Sequence, residues 1–234
     1  MFQRYVSRFH FSRFLGPLLC SALLPATAMA QTERADSKGF YVTLYGQYSR
    51  LGSSDLAETG ALGAGNALSA KFGNGMGFGG DVGYRYANGW AAEIEWNYRS
   101  HSLDTLRQGG TDVASDGDFA SNIILVNGLR RFNTAGAWTP YLGAGIGWVE
   151  EIDIDLKPGA GGAKRGYSAG SKTAFQLIAG AEYALTPNWS LTSDARWLHV
   201  GSVKLENEAG NPGGLVDSLK YNPLSVQLGV RYNF

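Results

Sequence analysis

Between Leu224 and Phe234 every second residue is apolar: Leu224, Val226, Leu228, Val230, Tyr232 and Phe234 alternate with Ser225, Gln227, Gly229, Arg231 and Asn233. Side chains of a β-strand point to opposite faces in turn, so a period of two makes a strand with one apolar and one polar face. A soluble sheet can carry such a strand, but this one closes on aromatic residues at the end of the sequence. In a membrane barrel that arrangement has a physical reason. The outward apolar band meets lipid, aromatic side chains sit at the interface with water, and the polar residues face the lumen. Such a strand needs a partner on both edges, and the rest of the chain supplies them.

The first thirty residues follow a different pattern. Arg4, Arg8 and Arg13 give a positive stretch, Phe14 to Leu24 an apolar one, and Ala28-Met29-Ala30 a small-residue cleavage site. Together they make a secretory signal peptide, too short and wrongly flanked for a transmembrane helix. Residues 1–30 are expected to be cleaved, residues 31–38 to form a short periplasmic lead, and residues 39–234 to form the barrel domain. Leu19 precedes Cys20 where a lipidation signal wants a small residue, so no lipid anchor is expected. Cleavage removes three of the twenty basic residues, none of the twenty acidic ones and the only cysteine, leaving a formal net charge of −3. Disulfides and thiol chemistry are thereby excluded from the mature chain. A mildly acidic chain also lacks the basic footprint of a nucleic-acid binder. No apolar run after residue 30 reaches the length of a transmembrane helix, so a membrane protein here must cross with strands.

Seven further segments alternate like the last. The first, about Phe40–Ser49, sets Phe40, Val42, Leu44 and Tyr48 against Tyr41, Thr43, Tyr45 and Gln47. The second sets Phe78, Val82, Tyr84 and Tyr86 against Gly77, Gly79, Asp81, Gly83 and Arg85. Ala87-Asn88-Gly89 is a hairpin signal, and the third strand follows with Trp90, Ala92, Ile94, Trp96 and Tyr98 outward and Glu93, Glu95, Asn97 and Arg99 inward. The fourth, about Phe119–Phe132, is blurred by the consecutive Ile123, Ile124, Leu125 and Val126. Counting back from Phe132 turns Asn127 and Arg131 inward and leaves Arg130 outward near the interface, where a long side chain snorkels. The fifth places Leu142, Ala144, Ile146 and Trp148 outward and Tyr141, Gly143, Gly145 and Gly147 inward. The same parity continues through Ile152, Ile154 and Leu156, so this strand is expected to project beyond the bilayer. In the sixth, Phe175, Leu177, Ala179, Ala181, Tyr183 and Leu185 face out and Gln176, Gly180 and Glu182 face in. In the seventh, Trp189, Leu191, Ala195 and Trp197 face out and Ser190, Thr192, Asp194 and Arg196 face in.

The short connections 87–89, 133–137 and 186–188 alternate with long ones, read as loops over 50–74, 100–117, 158–171 and 201–220. Eight antiparallel strands with short turns on one side and long loops on the other describe an all-β, transmembrane, up-and-down β-barrel with both termini in the periplasm.

Several segments carry a family resemblance: GFGGDVGYRY, WAAEIEWNYR, TPYLGAGIGW, AFQLIAGAEYALTPNWSL and the terminal GVRYNF. The chain resembles the opacity/OmpA-like eight-stranded outer-membrane β-barrel proteins of Gram-negative bacteria over about Gly39–Phe234, with the loops unmatched. The resemblance implies an outer-membrane location, contact with outer-membrane lipids and lipopolysaccharide, and an assembly signal at Tyr232 and Phe234 read by the barrel-assembly machinery. Members serve as surface antigens, adhesins, envelope-stabilising proteins or narrow pores. No peptidoglycan-binding domain like that of longer relatives is expected after the eighth strand, so cell-wall anchoring is not carried over from the resemblance.

The inward faces gather five acids, Asp81, Glu93, Glu95, Glu182 and Asp194, and five bases, Arg85, Arg99, Arg131, Arg196 and Arg231. An eight-stranded lumen is only wide enough to be filled by side chains, and charges buried there must be paired. The expectation is an ion-pair plug, with a narrow polar pathway for small solutes as the alternative. The inward glycines either make room for Tyr41, Tyr45, Tyr141 and the arginines or leave a water-filled gap. Trp90, Trp138 and Trp189 open strands after short turns, and Trp96, Trp148 and Trp197 lie further along them, so the six are expected to form two interfacial girdles.

Catalytic readings are weaker. Glu93-x-Glu95 has neither a nucleophile nor a metal cluster beside it. GAGIGW has phosphate-loop spacing, but more strand follows it where a helix N-terminus is needed. Some barrels of this size modify lipid A, and the deacylase type carries a His-x-Ser pair on the outer face of a strand. Here Leu103 stands two places after His101 and Gly201 two places after His199. No cofactor, metal or enzymatic role is expected. The long loops are where recognition residues of a rigid scaffold usually lie, and host or other surface ligands are their expected partners.

Overall fold

The computed structural model describes residues 38–51, 54–59, 68–108, 111–113, 115–158, 165–207 and 215–234. The expected signal peptide and residues 31–37 of the lead lie outside the described residues. Twelve strands follow in order: β1 (Gly39–Arg50), β2 (Ser54–Thr59), β3 (Leu68–Arg85), β4 (Trp90–Gln108), β5 (Thr111–Val113), β6 (Ser115–Arg131), β7 (Trp138–Pro158), β8 (Arg165–Ala169), β9 (Lys172–Ala184), β10 (Trp189–Asn207), β11 (Leu215–Tyr221) and β12 (Leu224–Asn233). Eight of them close a ring, every contact antiparallel: β1–β3, β3–β4, β4–β6, β6–β7, β7–β9, β9–β10, β10–β12 and β12–β1. The terminal strand described first is thus the closing stave. Its register on β1 runs from Asn233 opposite Tyr41 to Leu224 opposite Arg50.

The outward face carries Phe40, Leu44, Phe78, Ile94, Leu142, Ile146, Leu177 and Leu228, all exposed, Leu228 to 68%. A wall of exposed large apolar side chains is unfavourable in water and required in lipid. Closure removes every free strand edge within the band, so all backbone donors and acceptors there are paired, which the hydrocarbon demands. The turn at Asn88-Gly89 is tight: Gly89 takes φ +78°, the Tyr86 amide donates to the Trp90 carbonyl at 2.8 Å and the Gly89 amide to the Tyr86 carbonyl at 3.2 Å. A residue with a Cβ is strained at that φ.

Three features correct the strand limits read from sequence. The stretches read as long loops contain β2, β5, β8 and β11, and β3, β4, β6, β7 and β10 run into them. Within the membrane, lipid keeps the outward residues of each strand apolar and makes the alternation plain. Above the membrane the backbone ladder continues without it, so the segments 50–74, 100–117, 158–171 and 201–220 show no usable period. Between these strands, residues 52–53, 60–67, 109–110, 114, 159–164 and 208–214 lie outside the described residues. The third correction concerns β7. Opposite it, Ile123 pairs with Val149 but Asn122 pairs with Glu151, so Glu150 is an extra, bulged residue. Both Glu150 and Glu151 point outward and exposed, and Ile152 and Ile154 turn into the barrel with 0% and 1% exposure. The outward parity expected for these two isoleucines is reversed because a bulge shifts the phase of a strand by one residue.

Inward glycines accommodate large neighbours. A Cβ at Gly83 would lie 2.2 Å from the Tyr41 ring, and one at Gly79 would lie 2.5 Å from the Tyr45 hydroxyl. Gly83→Ala is therefore expected to destabilise the folded barrel by about 1–3 kcal/mol through overpacking. The same change in a Tyr41→Ala background loses most of that penalty. A double-mutant cycle of urea unfolding checks it; equal penalties in both backgrounds would show that the ring is not the obstacle.

Candidate functional site

The interior is built in three levels, each fed by inward positions of several staves. Nearest the short turns, Glu182 on β9 receives three guanidinium groups, from Arg85 on β3, Arg131 on β6 and Arg231 on β12, each at 3.2 Å. Arg231 also reaches Glu93 on β4 at 2.9 Å and donates through Nε to Thr43 Oγ1 at 2.9 Å. Tyr41 donates its hydroxyl to Glu93 at 2.9 Å and lays its ring under Arg231, 4.1 Å from the guanidinium carbon.

The middle level centres on Glu95. Arg196 Nη1 donates to it, as do the Tyr45 hydroxyl at 2.7 Å, Asn127 at 2.7 Å and Gln176 at 2.9 Å. The Arg196 Nε donates to Asp194 at 2.7 Å, which also accepts from Tyr141 at 2.7 Å. Carboxylates so taken out of water are tolerable because opposite charge and several donors surround each one. All ten charged residues expected in the lumen are buried. Eight of them are brought into these two clusters. Asp81 and Arg99 are not: neither Asp81 oxygen has a hydrogen-bond partner, and the Arg99 guanidinium bonds only through Nε, to Gln47 Oε1 at 3.0 Å.

Above them the interior turns apolar. Phe72, Phe119, Ile123, Leu125, Val149, Ile152, Ile154, Leu198, Val200, Val203 and Tyr221 form a buried cluster, with Phe119 stacked on Tyr221 at 4.8 Å and set edge-on to Phe72 at 5.3 Å. This cap was not read from the sequence. Two of the three residues that β7 contributes, Ile152 and Ile154, are re-phased by the bulge, and the blurred run 123–126 hid Ile123 and Leu125. The doubled acid Glu150-Glu151 interrupting an otherwise regular alternation was the available signal.

Outside, the six tryptophans expected to form the girdles are all exposed, Trp90, Trp138 and Trp189 at the short-turn ends of β4, β7 and β10 and Trp96, Trp148 and Trp197 further along the same strands. Arg130 lies over the Trp90 ring, 5.7 Å from its centroid. Tyr232 sits edge-on to both Trp189 and Phe234, at 4.9 and 5.0 Å, and the Phe234 amide donates to the Phe40 carbonyl at 3.0 Å.

Residues 17–234 match the family of outer membrane protein beta-barrel domains. The chain belongs to that family. Among curated proteins it is similar to the outer membrane protein PagN of Salmonella typhimurium, with 27% identity over 178 residues, 70% of this chain and 73% of PagN. Among solved structures it is similar in fold to OprG of Pseudomonas aeruginosa (TM-score 0.56, 14% identity, covering 86% of this chain and 98% of OprG). It is likewise similar to the neisserial surface protein NspA (TM-score 0.50, 21% identity, covering 84% and 97%). The protein is an integral outer-membrane β-barrel of a Gram-negative bacterium.

Two histidines remain in this outer-membrane barrel once residues 1–30 are set aside. His199 is exposed at the outer rim, 2.7 Å from Asn222 Oδ1 and stacked on Trp197. His101 is fully buried, with Nε2 2.8 Å from Ser49 Oγ, a pairing across strands that sequence spacing does not show. The contact has the composition of a nucleophile and base, but its Nδ1 has no hydrogen-bond partner, so no acid orients the ring as such a pair requires. His101 lies just past Tyr98, where the outward face turns from aromatic to the polar Ser100 and Ser102. Burial, and then the nearby Arg99 charge, push its pKa down from 6.5 to about 4. The unfolded chain therefore takes up this proton first, and stability is expected to fall as the pH drops from about 6.5 to about 4, by up to about 3 kcal/mol, and not further below. His101→Gln is expected to flatten that part of the pH–stability curve; an unchanged slope would assign it to other groups.

Proposed function

We propose that the protein is a non-enzymatic surface and envelope barrel, closed in its lumen and used from its extracellular rim for contact with neighbouring or host molecules. The observation that carries this reading is the double closure of the interior, by the ion-pair clusters around Glu182 and Glu95 and by the apolar cap around Phe119. Buried, bonded charges do not offer a passing solute the exchangeable sites that conduction needs. The extra strands β2, β5, β8 and β11 pair onto the extended staves and carry the wall beyond the aromatic girdle, a rigid support for recognition. The Ser49–His101 contact, without an acid, supports a structural rather than catalytic use of that histidine. The reading also takes residues 1–30 as a cleaved signal peptide, the six tryptophans as anchors among outer-membrane lipids and lipopolysaccharide, and Tyr232 and Phe234 as the signal for the barrel-assembly machinery.

The test is conductance of the purified, correctly inserted barrel in a planar bilayer. The expected result is no current steps. Reproducible single-channel steps that change in Glu93→Gln or Arg196→Gln would overturn the reading in favour of a narrow solute channel.

A further inference from the structure

Along β3, the ladder with β1 ends where Asn74 meets Arg50, and the ladder with β2 begins where Ala70 meets Ser54. Lys71, Phe72 and Gly73 lie between the two ladders, and there the wall carries a cleft of about 610 Å³. Its exposed lining is Tyr48, Arg50, Lys71, Asn74 and Asp104. Two cations thus face one acid. Among the described residues, no ion pair engages Arg50 or Lys71. Beneath the cleft on the same outer face, Tyr48 pairs with Met76, which is 66% exposed.

Strand stagger gives the height of this cleft. Paired residues followed round the ring from Arg50, through Leu224, Trp197 and Leu177 to Ala144 and onward, return to β1 at Phe40, ten residues lower. Spread evenly round the ring, that shear has dropped five residues by Ala144, the halfway point, so Arg50 stands level with Val149. Val149 follows Trp148 of the outer aromatic band, the depth at which headgroups begin. At that same height on β7, Glu150 and Glu151 are exposed. The rim is therefore basic at β1–β3 and acidic across the barrel, and it draws an anionic headgroup to the first side. The apolar wall of Tyr48 and Met76 under the charges fits acyl chains, which a soluble anion does not have.

We infer that the Arg50–Lys71 cleft seats a phosphate of the lipid A headgroup of lipopolysaccharide, with the acyl chains running down over Tyr48 and Met76. The Arg50 guanidinium and the Lys71 ammonium donate to the phosphate oxygens. Asp104, on the far side of β3 from Arg50, keeps the phosphate to the β1 edge. This names a partner for the rim and rests on the reading of that rim as a contact surface; the closed lumen has its own test in conductance, which a failure here leaves standing.

The experiment compares binding of bisphosphorylated and fully dephosphorylated lipid A to the purified, folded barrel in neutral detergent. EDTA is present so that no divalent cation bridges phosphate to acid. The expected result is at least about tenfold tighter binding of the phosphorylated lipid, the scale of one charge-assisted hydrogen bond. The double variant Arg50→Gln, Lys71→Gln is expected to lose that preference and Asp104→Asn to increase it. Lys172→Gln, a rim cation beside Glu150 and Glu151, is expected to leave it unchanged. Equal binding of the two lipids by the unaltered barrel overturns the inference, as does a preference retained in the double variant. Displacement of the lipid by millimolar inorganic pyrophosphate overturns it too, in favour of a soluble anion. Should the double variant fail to show the heat-dependent gel shift of a folded barrel, Asp104→Asn decides: a stronger preference supports the site, and an unchanged or weaker one overturns it.

Discussion

Glu182→Gln is expected to cost the barrel about 3–5 kcal/mol, the range for removing one partner of a buried ion pair. The substitution keeps size and shape but takes a negative charge away from three guanidinium groups at once. Arg231 retains Glu93, whereas Arg85 and Arg131 lose the carboxylate they share. The measurement is urea unfolding followed by the mobility difference between folded and unfolded barrel on a gel. Glu150→Gln on the outward bulge serves as the control, with an expected change within about 0.5 kcal/mol. A loss below about 1 kcal/mol for Glu182→Gln would mean that the three arginines are screened as surface charges are, and that water fills the lower lumen.

Phe119→Ala is expected to lower stability by about 3–5 kcal/mol, as truncation of a buried aromatic does. It removes the ring that Tyr221 stacks on and Phe72 meets edge-on. The same variant separates the two closures. With the Glu95 and Glu182 clusters untouched, Phe119→Ala is expected to stay electrically silent in a planar bilayer, and current steps are expected only when Arg196→Gln is added. Steps in Phe119→Ala alone would make the cap the sole barrier and the ion-pair clusters a permeable filter.

The membrane-spanning part of this fold was legible because lipid imposes a rule on every second residue. Leu224–Phe234 and Trp90–Tyr98 obey it without exception, Trp189–Trp197 with Ser193 as its one outward polar residue, and inward placement of the ten charged residues follows from parity alone. The partners within the lumen were not legible. That Glu182 collects Arg85, Arg131 and Arg231 depends on strand stagger around the ring, which no single strand encodes. Above the membrane the rule lapses, and with it the limits of β3, β4, β7 and β10. The Ile152 and Ile154 error has the same origin: one bulged residue at Glu150 is invisible to a count of alternation that has no lipid to enforce it.

Beyond Trp148 at the outer girdle, β7 continues ten residues to Pro158, still paired to β6 on one side and β8 on the other. At the usual rise and tilt of a barrel strand, that length lifts the rim about 25 Å off the bilayer surface. The protein therefore meets the outside world at a fixed altitude, as a parapet rather than a fringe of tethers. A large ligand can be engaged at that height with no approach to the lipid headgroups.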